Sequence, residues 1–177
     1  ENADFIRYCK EQNDDMIKAM FGMHALFTIS DKTFEKCVKA NDNMTGYHIH
    51  ICEGLNDVED SHKNYGMSPV ERLLKWGILG DKTILGHCIH VRDDEMDIIK
   101  AYDTMVVNNP QSNMGNAVGC SPVLKMYEKG INNTFSSING LQGVMTGSCN
   151  VITLNINRIV QDWFRQKDGD ENPRKYD

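Results

Sequence analysis

The sequence predicts an α/β protein: a partial (β/α) barrel of about four strand–helix units with parallel strands, then a short C-terminal β hairpin. Three observations carry this reading. The apolar pattern switches repeatedly between strand-like and helix-like periods, and such alternation builds a parallel sheet with right-handed crossovers. The chain has 177 residues, whereas a closed eight-unit barrel typically takes about 250. After Gly130 the pattern changes to polar loop and hairpin.

Residues 2–18 read as a helix, with Phe5, Ile6, Cys9, Met16 and Ile17 available for one face. Ala19 to Thr28 is strand-like and ends in a loop. Ser30 or Asp31 caps a helix that continues to about Asn41. Gly46 to Cys52 is a strand. Ser68-Pro69 with Glu71 opens a helix to Trp76, because proline suits the first turn and glutamate the dipole; Gly77 stops it. Thr83 to Cys88 is a strand, Asp93 and Asp94 open a helix through Ile98, Ile99 and Ala101, and Thr104 to Val107 is the fourth strand. Pro122 to Lys129 is a helix closed by Gly130. Asn132 to Gly143 reads as loop, and Val151 to Trp163 as two strands about Asn157-Arg158, although arginine fits poorly where a type I′ turn needs positive φ. The charged stretch from Gln166 to Asp177 is expected to be disordered. The expected division is therefore 1–131, 132–165 and 166–177.

Nineteen basic against 25 acidic side chains give a formal charge of −6, which argues against a nucleic-acid partner, since such a grip usually needs a basic stripe. No apolar run approaches the roughly 18 residues of a membrane span. The N-terminus, Glu1-Asn2-Ala3-Asp4, carries no signal-peptide pattern and reads as a cut end. Six cysteines, several inside apolar runs and none in CxxC spacing, read as free thiols of a cytoplasmic protein.

The strongest chemical constellation is His48-x-His50-x-x-Glu53. Residues two apart in a strand share a face, so both histidines point inward, with Glu53 beyond the carboxyl end, where barrel active sites are built. Neutral imidazole ligates divalent metals and a nearby carboxylate shuttles protons; the alternative is a pair of satisfied core histidines. His87, in Gly86-His87-Cys88-Ile89-His90, ends the next strand and faces the same cavity as His50. Asn108 to Asn113 follows the strand after that; its amides and hydroxyl suit a polar substrate or plain turn chemistry. His24 ends the first strand and either contacts substrate or is structural, and His62 reads as a solvated loop residue. There is no GxxxxGK[ST], no GxGxxG and no GxSxG.

These elements, in this order, resemble the central barrel of the amidohydrolase superfamily. The matching text is Gly22-Met23-His24-Ala25 with Phe27-Thr28, His48-Ile49-His50-Ile51-Cys52-Glu53 and Tyr65-Gly66-Met67-Ser68-Pro69-Val70-Glu71-Arg72-Leu73. It continues in Thr83 to His90, Asn109-Pro110-Gln111-Ser112-Asn113-Met114 and Gly119. The branch most similar is the chlorohydrolase/aminohydrolase group, with guanine deaminase-like, triazine hydrolase-like and SsnA-like members. The resemblance implies a TIM-type barrel and a divalent metal, zinc or iron, whose bound water attacks an amidine-like ring carbon of a small heterocycle. It makes His50 a metal ligand, His87 a ligand or polarising group, Glu53 the proton shuttle, and His24, Ser112 and Asn113 substrate-side residues. Asn108 stands where many relatives have histidine. The family's first-strand His-x-His pair and last-strand aspartate have no counterpart here, and 151–163 resembles the end of its small β domain.

Two readings follow: a metal-assisted hydrolase or a piece of one, and a non-catalytic remnant serving as scaffold or partner-binding subunit. A weaker third is a regulatory metal site on His48, His50 and His90. The bare edges of a partial barrel call for self-association or a partner that covers them.

Overall fold

The computed structural model describes residues 1–135. The hairpin expected at 151–163, the tail expected at 166–177 and most of the loop expected at 132–143 lie outside the described residues.

Five strands form one parallel sheet in chain order: β1 (Phe21–Ala25), β2 (Tyr47–Ile51), β3 (Ile84–His87), β4 (Met105–Asn108) and β5 (Asn133–Phe135). The expected partial barrel is present, with one strand more than the four read from the sequence. β5 falls where loop was expected; three residues with no apolar run carry no strand signal, and pairing of Val106 with Asn133 and Val107 with Thr134 makes the strand.

Among the described residues seven α-helices accompany the sheet: α1 (Asn2–Gln12), α2 (Asp31–Asn41), α3 (Leu55–Tyr65), α4 (Pro69–Lys75), α5 (Asp93–Ala101), α6 (Pro110–Gly115) and α7 (Val123–Glu128). α1 stops six residues before the expected end, because Asn13 takes a left-handed cap at φ 47°. Ser30 caps α2 through the Thr33 N–H, and Ser68 and Glu71 close a full capping box on α4. α3 was not legible. Its buried side chains are Asp57 and Ser61, so no apolar stripe marks it. His62, expected in a loop, sits in its last turn. α6 replaces the turn expected after β4, with Pro110 at its first position.

The core fills the layer between sheet and helices. Ile49, Ile51, Leu85 and Val106 meet Phe34, Val70, Leu73, Met96, Ile99 and Met126, all at 1% exposure or less. The strand period then leaves His48 and His50 on the opposite face, where His48 is exposed and His50 half-buried. Among the described residues no helix is long and apolar enough to cross a membrane, and Cys9, Cys37, Cys52, Cys88 and Cys120 are free thiols.

Candidate active site

The site is built where β2 and β3 end side by side. Their register pairs His50 with Gly86 and Ile51 with His87. By period alone His87 belongs to the row of Ile51 and would point at the helices. It does not, because the chain turns left-handed there, at φ 68° for His87 and 47° for Cys88. Cys52, after β2, has φ 51°. These three non-glycine residues are held by backbone bonds between the two loops: Cys88 N–H to Ile51 O at 3.1 Å, Ile89 N–H to Cys52 O at 2.9 Å and His90 N–H to Cys52 O at 3.0 Å. Such strain persists only where its surroundings over-determine it.

The consequence is convergence. His50 Nδ1 lies 3.0 Å from His87 Nε2, and the ring centres are 5.1 Å apart. Glu53 Oε2 lies 3.6 Å from His87 Nε2, too far for a direct hydrogen bond and close enough for both to reach one atom between them. Gly86 keeps the space open; a Cβ there would sit 3.4 Å from His50 Cγ. Burial, then the neighbouring His87 and His48, lowers the His50 pKa and favours neutral imidazole.

α6 supplies the polar backing. The ring of His87, 2% exposed, sets Nδ1 at 2.7 Å from Asn113 Oδ1. Asn113 Nδ2 donates to Asn108 Oδ1 at 3.2 Å, and the His87 N–H donates to Asn109 Oδ1 at 3.2 Å. Asn116 Nδ2 donates to Glu53 Oε1 at 2.9 Å. Sequence reasoning had Asn109 only as one of the amides after the fourth strand, not as a partner of the His87 backbone, and missed Asn116. Their partners stand 22 and 63 residues away, and no local pattern announces such contacts.

Asn113, expected on the substrate side, is buried against His87, and Ser112 is exposed. His24 Nδ1 lies 3.1 Å from Thr28 Oγ1. His48 stacks on His50 with ring centres 5.5 Å apart. His90 Nε2 is occupied by Val118 O at 3.1 Å. Behind the loop, Asp57 accepts the Cys52 N–H; burial raises its pKa to about 6.

A divalent metal fits this donor set in part. Zinc–nitrogen bonds are about 2.0–2.1 Å, so two nitrogens 3.0 Å apart can share one ion. Among the described residues, however, no three histidine, cysteine, aspartate or glutamate side chains are placed to hold one. That removes the His48–His50–His90 site. Catalytic zinc usually has about three protein ligands, so His50 and His87 offer part of a coordination sphere.

The chain is 36% identical over 133 residues to a 5'-deoxyadenosine deaminase of Methanothermobacter thermautotrophicus, covering 75% of this chain and 31% of that protein. It is 40% identical over 120 residues to a 5-methylthioadenosine/S-adenosylhomocysteine deaminase of Thermoanaerobacter pseudethanolicus, covering 67% and 28%. The crystal structure of an adenosine deaminase from Xanthomonas campestris with bound zinc superposes with a TM-score of 0.69 at 27% identity, covering 75% of this chain and 31% of that one. The chain thus spans about a third of the length of the relatives it matches. The family model for amidohydrolases matches residues 1–171, and the chain belongs to the amidohydrolase family.

Proposed function

We propose that this chain carries the acid–base portion of a metal-dependent hydrolase site, of the kind that breaks a carbon–nitrogen or carbon–chlorine bond of a small heterocycle. The observation that supports it is the meeting of Glu53, His87 and His50 at the carboxyl ends of two adjacent parallel strands. The deaminase relatives make purine nucleosides the first substrates to try.

His50 and His87 would hold the ion, zinc or iron, which when bound lowers the pKa of a water molecule. Glu53 Oε2, facing His87, would take a proton and return it to the leaving group. His87 Nε2, with Nδ1 already engaged by Asn113, offers its lone pair to the same space. His24, on the neighbouring strand β1, would contact the substrate.

The described residues do not complete the metal site, and this favours poor or absent turnover by the chain alone. The same gap is what a non-catalytic remnant, serving as a scaffold or partner-binding subunit, would show. β1 and β5 end the sheet among the described residues, so a second copy or a partner covering an edge belongs to the reading. The free thiols suit a cytoplasmic protein.

The test is metal content and turnover of the chain with zinc or ferrous iron, on adenosine-, guanine- and triazine-type substrates. Weak zinc binding that disappears in His50→Ala and His87→Ala is expected. Zinc binding untouched by either substitution would sink the site. Robust turnover abolished by Glu53→Gln would overturn the incompleteness and show that another residue or a second copy finishes the site.

A further inference from the structure

We propose that Asn113 and Asn116, one turn apart at the end of α6, are paired positioning residues: Asn113 fixes the tautomer of His87 and Asn116 fixes the carboxylate of Glu53. The inference rests on the hydrolase reading of Glu53 and His87 and adds how their geometry is held.

Residues three apart on a helical turn share a face, and both amides face the site. Asn113 gives its NH2 group to Asn108 Oδ1 at 3.2 Å. That leaves Asn113 Oδ1 toward His87 Nδ1 at 2.7 Å. An oxygen there accepts, so the ring proton sits on Nδ1 and the lone pair of Nε2 points at His50 and Glu53. Asn116 works on the other partner. Its NH2 group binds Glu53 Oε1 at 2.9 Å and leaves Oε2 facing His87. A hydrogen bond to an ionised carboxylate is among the stronger ones.

The segment that presents these amides is itself tied down. The Val118 N–H returns to Asn113 O at 3.2 Å. Val118 O accepts from His90 at 3.1 Å. Ser121 Oγ donates to Cys88 O at 3.3 Å. Ala117, directly after Asn116, is left-handed at φ 52°. Two contacts to the loop after β3 thus set the distance of α6 from the site, and His90 serves here as an anchor.

The test reads both groups by NMR in the isotope-labelled full chain, without requiring turnover. Long-range imidazole spectra of the neutral ring should show His87 as the Nδ1–H tautomer, assigned by His87→Gln. Asn113→Ala should admit the Nε2–H form, and Asn113→Asp, which keeps an acceptor, should preserve Nδ1–H. Asn116→Ala should shift and broaden the carboxyl carbon resonance of Glu53, assigned by Glu53→Gln, while the His87 tautomer stays as it was; Asn116→Gln should recover part of it. Backbone amide spectra check that each variant is folded. Zinc affinity should fall about 10- to 100-fold in Asn113→Ala, the usual effect of removing a partner behind a ligand histidine. An Nε2–H tautomer in the unsubstituted chain, or a Glu53 resonance indifferent to Asn116, overturns the proposal. Resonances that respond as expected in a chain that binds no zinc would leave the clamp standing and remove the hydrolase reading. Zinc binding at His50 and His87 with unresponsive resonances would do the reverse.

Discussion

The guanidinium carbon of Arg72 lies 3.4 Å from the ring centre of Tyr65. Arg72 is fully buried; its guanidinium also overlies the Phe34 ring at 5.0 Å and meets Asp31 at 3.0 Å and the carbonyls of Leu26 and Ile29. It therefore joins α4 to the turn after β1 and to the start of α2. Removing it strands two carbonyls, each costing about 1–3 kcal/mol. Arg72→Met should destabilise the fold by about 3–5 kcal/mol in urea unfolding. Arg72→Lys should recover only part, because an ammonium cannot reproduce the planar fork. A loss below about 1 kcal/mol in Arg72→Met would show that the carbonyls find other donors.

Asp57 makes the fold sensitive to pH in a defined direction. Its pKa is raised from the ordinary 3.8 to about 6, chiefly by burial, and Oδ1 has no hydrogen-bond partner among the described residues. The folded state then binds the extra proton between those values. Stability from this group is fully present below about pH 3.8 and is lost as pH rises through about 6. At 1.36 kcal/mol per unit the difference is on the order of 3 kcal/mol. Asp57→Asn should therefore gain by that order relative to the unsubstituted chain between pH 4 and pH 7, in paired urea titrations. A stability difference that does not change with pH would refute the assignment.

Two glycines should respond oppositely to alanine. A Cβ on Gly46 would fall 1.9 Å from the Lys82 carbonyl oxygen, a backbone atom that cannot swing aside. Gly46→Ala should cost about 3 kcal/mol or more, the upper range for overpacking. A Cβ on Gly86 meets His50 at ordinary contact distance, so Gly86→Ala should change stability by less than about 1 kcal/mol. Equal unfolding midpoints for the two variants would contradict this.

The capping box of α4 gives a smaller, separate figure. Ser68 Oγ accepts from the Glu71 N–H at 3.3 Å, and Glu71 Oε2 accepts from the Ser68 N–H at 2.7 Å. Ser68→Ala should cost about 1 kcal/mol, measurable as a shifted urea midpoint with unchanged slope. A midpoint within error of the unsubstituted chain would show that the box contributes nothing there.

The sequence disclosed what is encoded locally. β2 was legible because Tyr47, Ile49 and Ile51 alternate with His48 and His50, and α4 because its cap is complete within four residues. α3, α6 and β5 were illegible for one reason: their buried faces are polar or very short, and tertiary partners hold them. The site followed the same division. Strand period put His50 and Glu53 in place, but His87 reaches His50 through a left-handed kink that no periodicity contains. Asn116 could not be read at all, since the residue it serves lies 63 residues earlier, before α3, on the other side of β3.

Because among the described residues each strand pairs only with its neighbour in the chain, assembly can proceed vectorially. On a ribosome β1 and β2 can pair before β3 has emerged, and every later unit docks on a finished edge. The histidine pair becomes available once residue 87 is out, but the amides of α6 arrive some thirty residues later. A nascent chain paused in that interval would expose an imidazole pair whose tautomers are still free, and so would be the stage most open to capture by stray metal ions.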